Sequence, residues 1–294
     1  MADLLIGQTL SFGGDPFAEG AEAARHSARG GVLVEGGMIR AVGEADDLRR
    51  ALTADAVAAG LAACGVTIVC YNFMPLLDWT RTELHAVQPG GGRALRFNAH
   101  EFAAFDCFML ERPGAEADHP PEVVTRARAW FDGSSASQRE QILANVMAGL
   151  PGAFDRYDIP GLRRMLERYR GMSHEALRQN LARFLREVIP TAEEVGIRMC
   201  IHPDDPPRPT FGLPRIVGSV DDLAFIVGAY ESVASGITFC TGSLGAGAAN
   251  DVPAMARRFA GKIQFAHLRN VTKEPDGSFM EAEHLGGDVD MVAV

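Results

Sequence analysis

The chain has no surplus of basic residues: 28 Lys plus Arg stand against 38 Asp plus Glu, a formal net charge of -10. That balance argues against a phosphate-binding surface, so the expected ligand is a small molecule, with no nucleic-acid and no membrane partner. Cysteine is sparse as well. Cys64, Cys70, Cys107, Cys200 and Cys240 are odd in number and show no paired spacing, which excludes a disulfide framework and leaves free thiols and one metal ligand as their uses. The longest uncharged stretch, 22 residues from Ala56 to Leu77, is interrupted by Gly60, Gly65, Asn72 and Pro75. It reads as a helix end, a cap at Gly65 and a β-rich run from Val66 to Cys70. No secretory leader is evident, Asp3 standing where a basic segment belongs, and the expected location is the cytoplasm. There is no Gly-x-Gly-x-x-Gly between strand and helix, no serine nucleophile elbow, and no phosphate loop, since Gly242 to Gly247 lacks the lysine.

What is present is a core-forming composition, 47% hydrophobic over 294 residues, enough for one barrel-sized domain or two smaller ones. Residues 1–53 form a β-rich unit in which Gly31–Glu35 and Met38–Val42 flank the two-residue hairpin signal Gly36-Gly37. From residue 54 the texture changes to helix, glycine, strand. A helix is expected over Glu175–Val195, with Leu177, Leu181, Phe184, Leu185, Val188 and Ile189 on one stripe and a kink at Pro190, followed by a strand over Ile197–Ile201. Two more units follow: a helix capped by Ser219 and ending at Gly236 before strand 237–239, then Val252–Phe259 and Gly261 before strand 263–266. Strands separated by helices imply a parallel sheet with right-handed crossovers. The expected fold is therefore α/β, a TIM-type (β/α) barrel over 54–294, incomplete because four barrel strands are legible where eight close the fold. A helical insertion without strands is expected at about 82–172.

Three of these strands end on metal-grade side chains, His202, Cys240 and His267, at the end of the sheet where (β/α) barrels hold their active sites. A histidine alone is more often a surface or hydrogen-bonded core residue, and a strand cysteine is more often a small hydrophobe, as Cys200 should be. The repetition is what raises the metal reading. Around His202, Asp204 and Asp205 are candidates for orienting the imidazole or moving protons. Arg269, two residues beyond His267, is a candidate carboxylate binder. By ligand softness alone, two imidazoles and a thiolate suggest zinc or an iron-like ion.

Several runs carry a family resemblance: Cys70 to Thr82, Arg112 to Asp118, His202 to Pro207, Gly212 to Ile216, the loop at Cys240, and His267 to Arg269. Over about residues 56–291 the chain resembles mannonate dehydratase. The resemblance implies a xylose-isomerase-like barrel that uses a divalent metal, manganese first with iron or zinc as alternatives, to dehydrate D-mannonate to 2-keto-3-deoxygluconate in hexuronate breakdown. It also implies metal ligation by His202, Cys240 and His267. By position, Asn72, Arg81, Arg208 and Arg269 are expected to contact the sugar acid, and a homo-oligomer is an expected assembly. The family continues with an Arg-Pro-Asp-His-Gly segment and a tyrosine that supply a further ligand and proton-transfer groups, and this sequence contains no such segment. Reduced or lost turnover is the expectation, with a non-catalytic metal-binding protein as one alternative. Val32 to Gly43 resembles instead the amino-terminal β-unit of guanine deaminase, in the amidohydrolase superfamily. A deaminase reading would require a His-x-His pair, and none occurs.

Overall fold

The computed structural model describes residues 58–77, 79–148 and 157–294 with their side chains, and residues 2–12, 24–35, 38–44 and 54–57 as backbone. The chain divides into two compact units, one of Met1–Val69 with Arg186–Met199, the other of Cys70–Leu185 with Cys200–Val294.

In the first unit, β1 (Ala2–Phe12), β2 (Ala24–Glu35) and β3 (Met38–Glu44) form an antiparallel sheet in that order. Glu35 pairs with Met38, the register expected from a two-residue connection at Gly36-Gly37. Helix α1 (Ala54–Ala63) ends before Gly65, whose φ of 77° is the left-handed conformation that a helix terminus asks of glycine. β4 (Ile68–Tyr71) begins here and runs into the second unit.

The second unit opens with a departure from expectation. The stretch 82–172 is not purely helical: it starts with β5 (Glu83–Val87) and β6 (Arg93–Phe97), an antiparallel pair. Helices follow as expected, α2 (Ala99–Ala104), α3 (Pro121–Gly133), α4 (Ala136–Val146) and α5 (Ile159–Arg168). The two strands were hidden because they are short and carry charged residues, and because β6 pairs with a strand about 180 residues away, Phe97 opposite Phe279. Phe97 and Phe279 stack with centroids 5.5 Å apart, and with Phe102, Phe105, Leu110, Leu162 and Phe211 they belong to one buried cluster.

Helix α6 (His174–Val195) buries Leu177, Leu181, Leu185 and Ile189, one residue per turn, and Gly196 with φ 76° stops it before β7 (Arg198–Ile201). Helix α7 (Val220–Ala229) starts on a capping box between Ser219 and Asp222. It leads to β8 (Ser235–Cys240), the short α8 (Thr241–Gly245), α9 (Val252–Phe259) and β9 (Ile263–His267). Gly236, expected to end a helix, lies inside β8; the helix stops at Ala229, and the glycine is needed because a Cβ there would come within 2.6 Å of the Lys262 carbonyl.

β4, β7, β8 and β9 form one sheet in that order. Arg198 N donates to Thr67 O and His202 N to Tyr71 O, a constant offset that makes β4 and β7 parallel, and β8 pairs parallel with β9. With helices between its strands this is an open half of a TIM-type (β/α) barrel. A second sheet, β10 (Asn270–Lys273), β11 (Phe279–Ala282), β6 and β5 in that order, flanks the residues that follow His267. No helix among the described residues is long and apolar enough to cross a membrane.

Candidate metal centre

The parallel register brings the three strand ends together. Cys240 at the last position of β8 is the direct partner of His267 at the last position of β9, and His202 follows β7 on the neighbouring strand. Their donor atoms all lie within 4.8 Å of one another, with His202 Nε2 3.4 Å from His267 Nδ1. His202 Nδ1 lies 2.8 Å from Pro203 O. A carbonyl oxygen only accepts, so Nδ1 carries the proton and Nε2 presents its lone pair to the site. That carbonyl takes the orienting role expected of Asp204 and Asp205, neither of which bonds His202 among the described residues.

Cys240 is fully buried, and its Sγ caps α8 by accepting from Ser243 N at 3.5 Å and Ser243 Oγ at 3.3 Å. Burial alone would raise the thiol's pKa, but the contacts with His202 and His267 and the charge of Arg269 outweigh it and bring it down to about 5. His202 responds in the opposite sense: burial lowers it, and the bond to Cys240 more than compensates, so its pKa is raised. His267 is raised chiefly by its own bond to Cys240. The sulfur and each imidazole favour one another's charged form, whereas the charge of His202 opposes protonation of His267.

Behind Cys240 lies a buried carboxylate. Arg81 Nη1 and Nη2 each reach an oxygen of Asp205 at 2.8 Å, and Arg269 Nη2 reaches Oδ2 at 2.6 Å. Burial would push Asp205 up, but the two guanidinium groups hold it well below the usual carboxylate range. Arg81 is fully buried, lying over Trp79 and Phe279, and Arg269 also donates to Glu281 Oε1 at 2.6 Å. Both were expected against the sugar acid; the structure commits them to carboxylates of the protein. Asp204 is buried too, accepting from Val217 N, and burial raises its carboxyl to about 6. Asn72 is exposed just beyond β4.

Arg208 stands elsewhere. Its Nη2 donates to Gly277 O, its guanidinium lies over Phe97, and it lines a cavity of about 390 Å³ together with Phe211 and the linked group Asp106, Arg112 and His119. In that group Arg112 bridges Asp106 and Asp118 at 2.7 and 2.6 Å. Two residues near the metal-grade donors escaped the sequence reading. Ser243 could have been found from its place three residues after a cysteine at a strand-to-helix turn, the spacing of a helix cap. Cys70 is exposed and accepts from Thr238 Oγ1 at 3.1 Å; its contact with Cys200, against the effect of burial, brings its thiol down to about 6.

Residues 52–294 match the family model described as D-mannonate dehydratase (UxuA), and residues 30–52 match that of a bacterial imidazolonepropionase-like composite domain. Among curated relatives, a mannonate dehydratase of Chromohalobacter salexigens is 55% identical over 80% of this chain and 60% of its own length. One from Marinomonas sp. is 49% identical over the same shares. The chain thus spans about three fifths of the length of these relatives. In three dimensions it resembles the crystal structure of mannonate dehydratase from Streptococcus suis serotype2, with a TM-score of 0.58 and 33% identity over 82% of this chain and 54% of that one. The half-barrel and its three converging strand ends lie wholly within the matched residues, and the chain belongs to the D-mannonate dehydratase family.

Proposed function

We propose that this chain carries the metal-binding part of a hydro-lyase site that dehydrates D-mannonate to 2-keto-3-deoxy-D-gluconate in hexuronate breakdown. The observation that supports the reading most is the convergence of His202, Cys240 and His267, within 4.8 Å, at the ends of strands β7, β8 and β9. Donors sharing one ion stand roughly 3.3–3.6 Å apart, from bond lengths of about 2.0–2.3 Å. The His202 to His267 separation of 3.4 Å meets that, and the widest pair needs to close by only about 1 Å. The donor set fits a divalent cation. We take manganese as the resident ion, with iron or zinc as the alternatives.

When bound, such an ion supplies Lewis acidity beside the carboxylate of the sugar acid, where negative charge builds as the neighbouring C–H proton is removed and the next hydroxyl departs as water. The chain's own residues prepare that place. Pro203 O fixes the His202 tautomer, Ser243 supports the Cys240 sulfur, and Arg269 and Arg81 hold Asp205 as an anion behind them. Asn72 and Arg208 are the proposed contacts for the sugar acid's hydroxyls and carboxylate. A cytoplasmic location and a homo-oligomer belong to the same proposal, the second supported by Phe265 and Leu268, which are 48% and 51% exposed at and beside the edge strand β9.

The test has two readouts: metal content of the purified polypeptide after dialysis against manganese, iron and zinc separately, and product formation from D-mannonate in a coupled assay. Stoichiometric metal with detectable product supports the reading. A folded polypeptide that retains none of the three metals and yields no product overturns it.

A further inference from the structure

The Ser243 hydroxyl lies between two acceptors. Its Oγ is 3.3 Å from Cys240 Sγ and 3.2 Å from Asp205 Oδ2, while Arg269 Nη2 donates to it at 3.1 Å. A hydroxyl has one proton and can serve only one of those acceptors at a time. Asp205 is already supplied, with both Nη atoms of Arg81 at 2.8 Å and Arg269 Nη2 at 2.6 Å. Cys240 Sγ is supplied less well. Its backbone donor, Ser243 N, is 3.5 Å away, and its other partners are the imidazoles of His202 and His267, whose facing nitrogens are the ones a shared ion would take.

Resting on the metal reading above, we infer that Ser243 is a positioning residue of the metal centre, its proton directed onto the Cys240 sulfur because the Arg81–Asp205–Arg269 clamp satisfies the competing carboxylate. Both Ser243 and Cys240 are fully buried, so water does not replace the bond if the hydroxyl is deleted. The same clamp explains Gly242, whose added Cβ would collide with Arg269 Nε. The hydroxyl stabilises the anionic sulfur and aims it toward the two imidazoles.

Cobalt(II) is the probe, titrated into the wild-type chain and into Ser243→Ala, Ser243→Thr and Cys240→Ser. Affinity is read by competition with a chelator, and sulfur coordination by the sulfur-to-cobalt charge-transfer band. Ser243→Ala should bind about 10-fold more weakly, the scale of losing an outer partner of a ligand. Its band should move to longer wavelength, since a thiolate without its hydrogen bond gives up charge more easily. Ser243→Thr keeps the hydroxyl and should stay near wild type in both readouts. If Ser243→Ala does not fold, Ser243→Gly deletes the same hydroxyl and is judged by the same two criteria. A hydroxyl-deleted variant with wild-type affinity and an unmoved band overturns the role of Ser243 and leaves the metal reading intact. A wild-type chain without the sulfur band, or a Cys240→Ser chain that keeps it, overturns the metal reading itself.

Discussion

Cys200, inside β7, and Cys240, at the end of β8, are both fully buried, yet only Cys240 faces two imidazoles. Cys240→Ser should therefore weaken metal retention by more than the ~10–100-fold typical of losing an outer partner, while Cys200→Ser should alter stability and leave metal content unchanged. Equal metal content in the two purified variants would contradict the assignment. Acidity tests the same residues differently. Metal binding needs both imidazoles unprotonated and the sulfur ionised. His202 and His267 hold protons to a higher pH than the ordinary 6.5, whereas Cys240 stays ionised down to about 5. As pH falls, the imidazoles are lost to protons first, so bound metal in equilibrium dialysis should already be declining above pH 6.5 while the thiolate persists. Full retention down to pH 5 would show that these pKa directions do not govern the site. The grouping of His202, Cys240 and His267 was legible in the sequence because each closes or directly follows a strand of regular pattern. The clamp was not. Arg81 and Asp205 are 124 residues apart, and nothing local distinguishes an arginine buried on a carboxylate from one facing a substrate.

At the scale of elements, β7, β8 and β9 were legible because helix, glycine and apolar run alternate from one to the next, and β4 because it follows the helix end at Gly65. The antiparallel sheet was not, since β10 and β11 recruit β6 and β5 from far up the chain and short strands carry little pattern of their own. Gly236 shows how a correct residue can carry the wrong reason: it marks the β8 region, but it serves the close approach of β8 to the Lys262 backbone rather than a helix end. Gly236→Ala should cost about 1–3 kcal/mol through overpacking, a fall of roughly 2–4 °C in Tm for each kcal/mol. Gly133, exposed at the end of α3 with nothing within 4 Å of an added Cβ, is the control, and Gly133→Ala should be neutral or stabilising by up to about 1 kcal/mol. Equal melting temperatures for the two variants would remove the packing argument for β8 and β9.

For the molecule as a whole, the decisive quantity is turnover. Three of the four parallel strands, β7, β8 and β9, bring two nitrogens and one sulfur to a common point, and among the described residues no carboxylate joins that cluster. The carboxylates closest in sequence to His202 are used elsewhere, Asp205 in the arginine clamp and Asp204 on Val217 N. The family resemblance implies that a further ligand and the proton-transfer groups come from an Arg-Pro-Asp-His-Gly segment and a tyrosine, and the 294-residue sequence has no such segment. Losing a positioned acid or base typically lowers a rate by about 10²–10⁴-fold, and a centre with fewer ligands holds its charge less firmly against the substrate. On the proposed function, these 294 residues by themselves, loaded with manganese, should dehydrate D-mannonate at least about 100-fold more slowly than a full-length relative such as that of Chromohalobacter salexigens. Metal retention should persist in the same sample, because the three donors and their supports are all present. The measurement is initial rate of 2-keto-3-deoxygluconate formation, with bound manganese determined in parallel. Comparable rates would show that these residues contain a sufficient acid and base, and would direct attention to the Arg208 cavity, where His119 and Asp106 lie 3.1 Å apart.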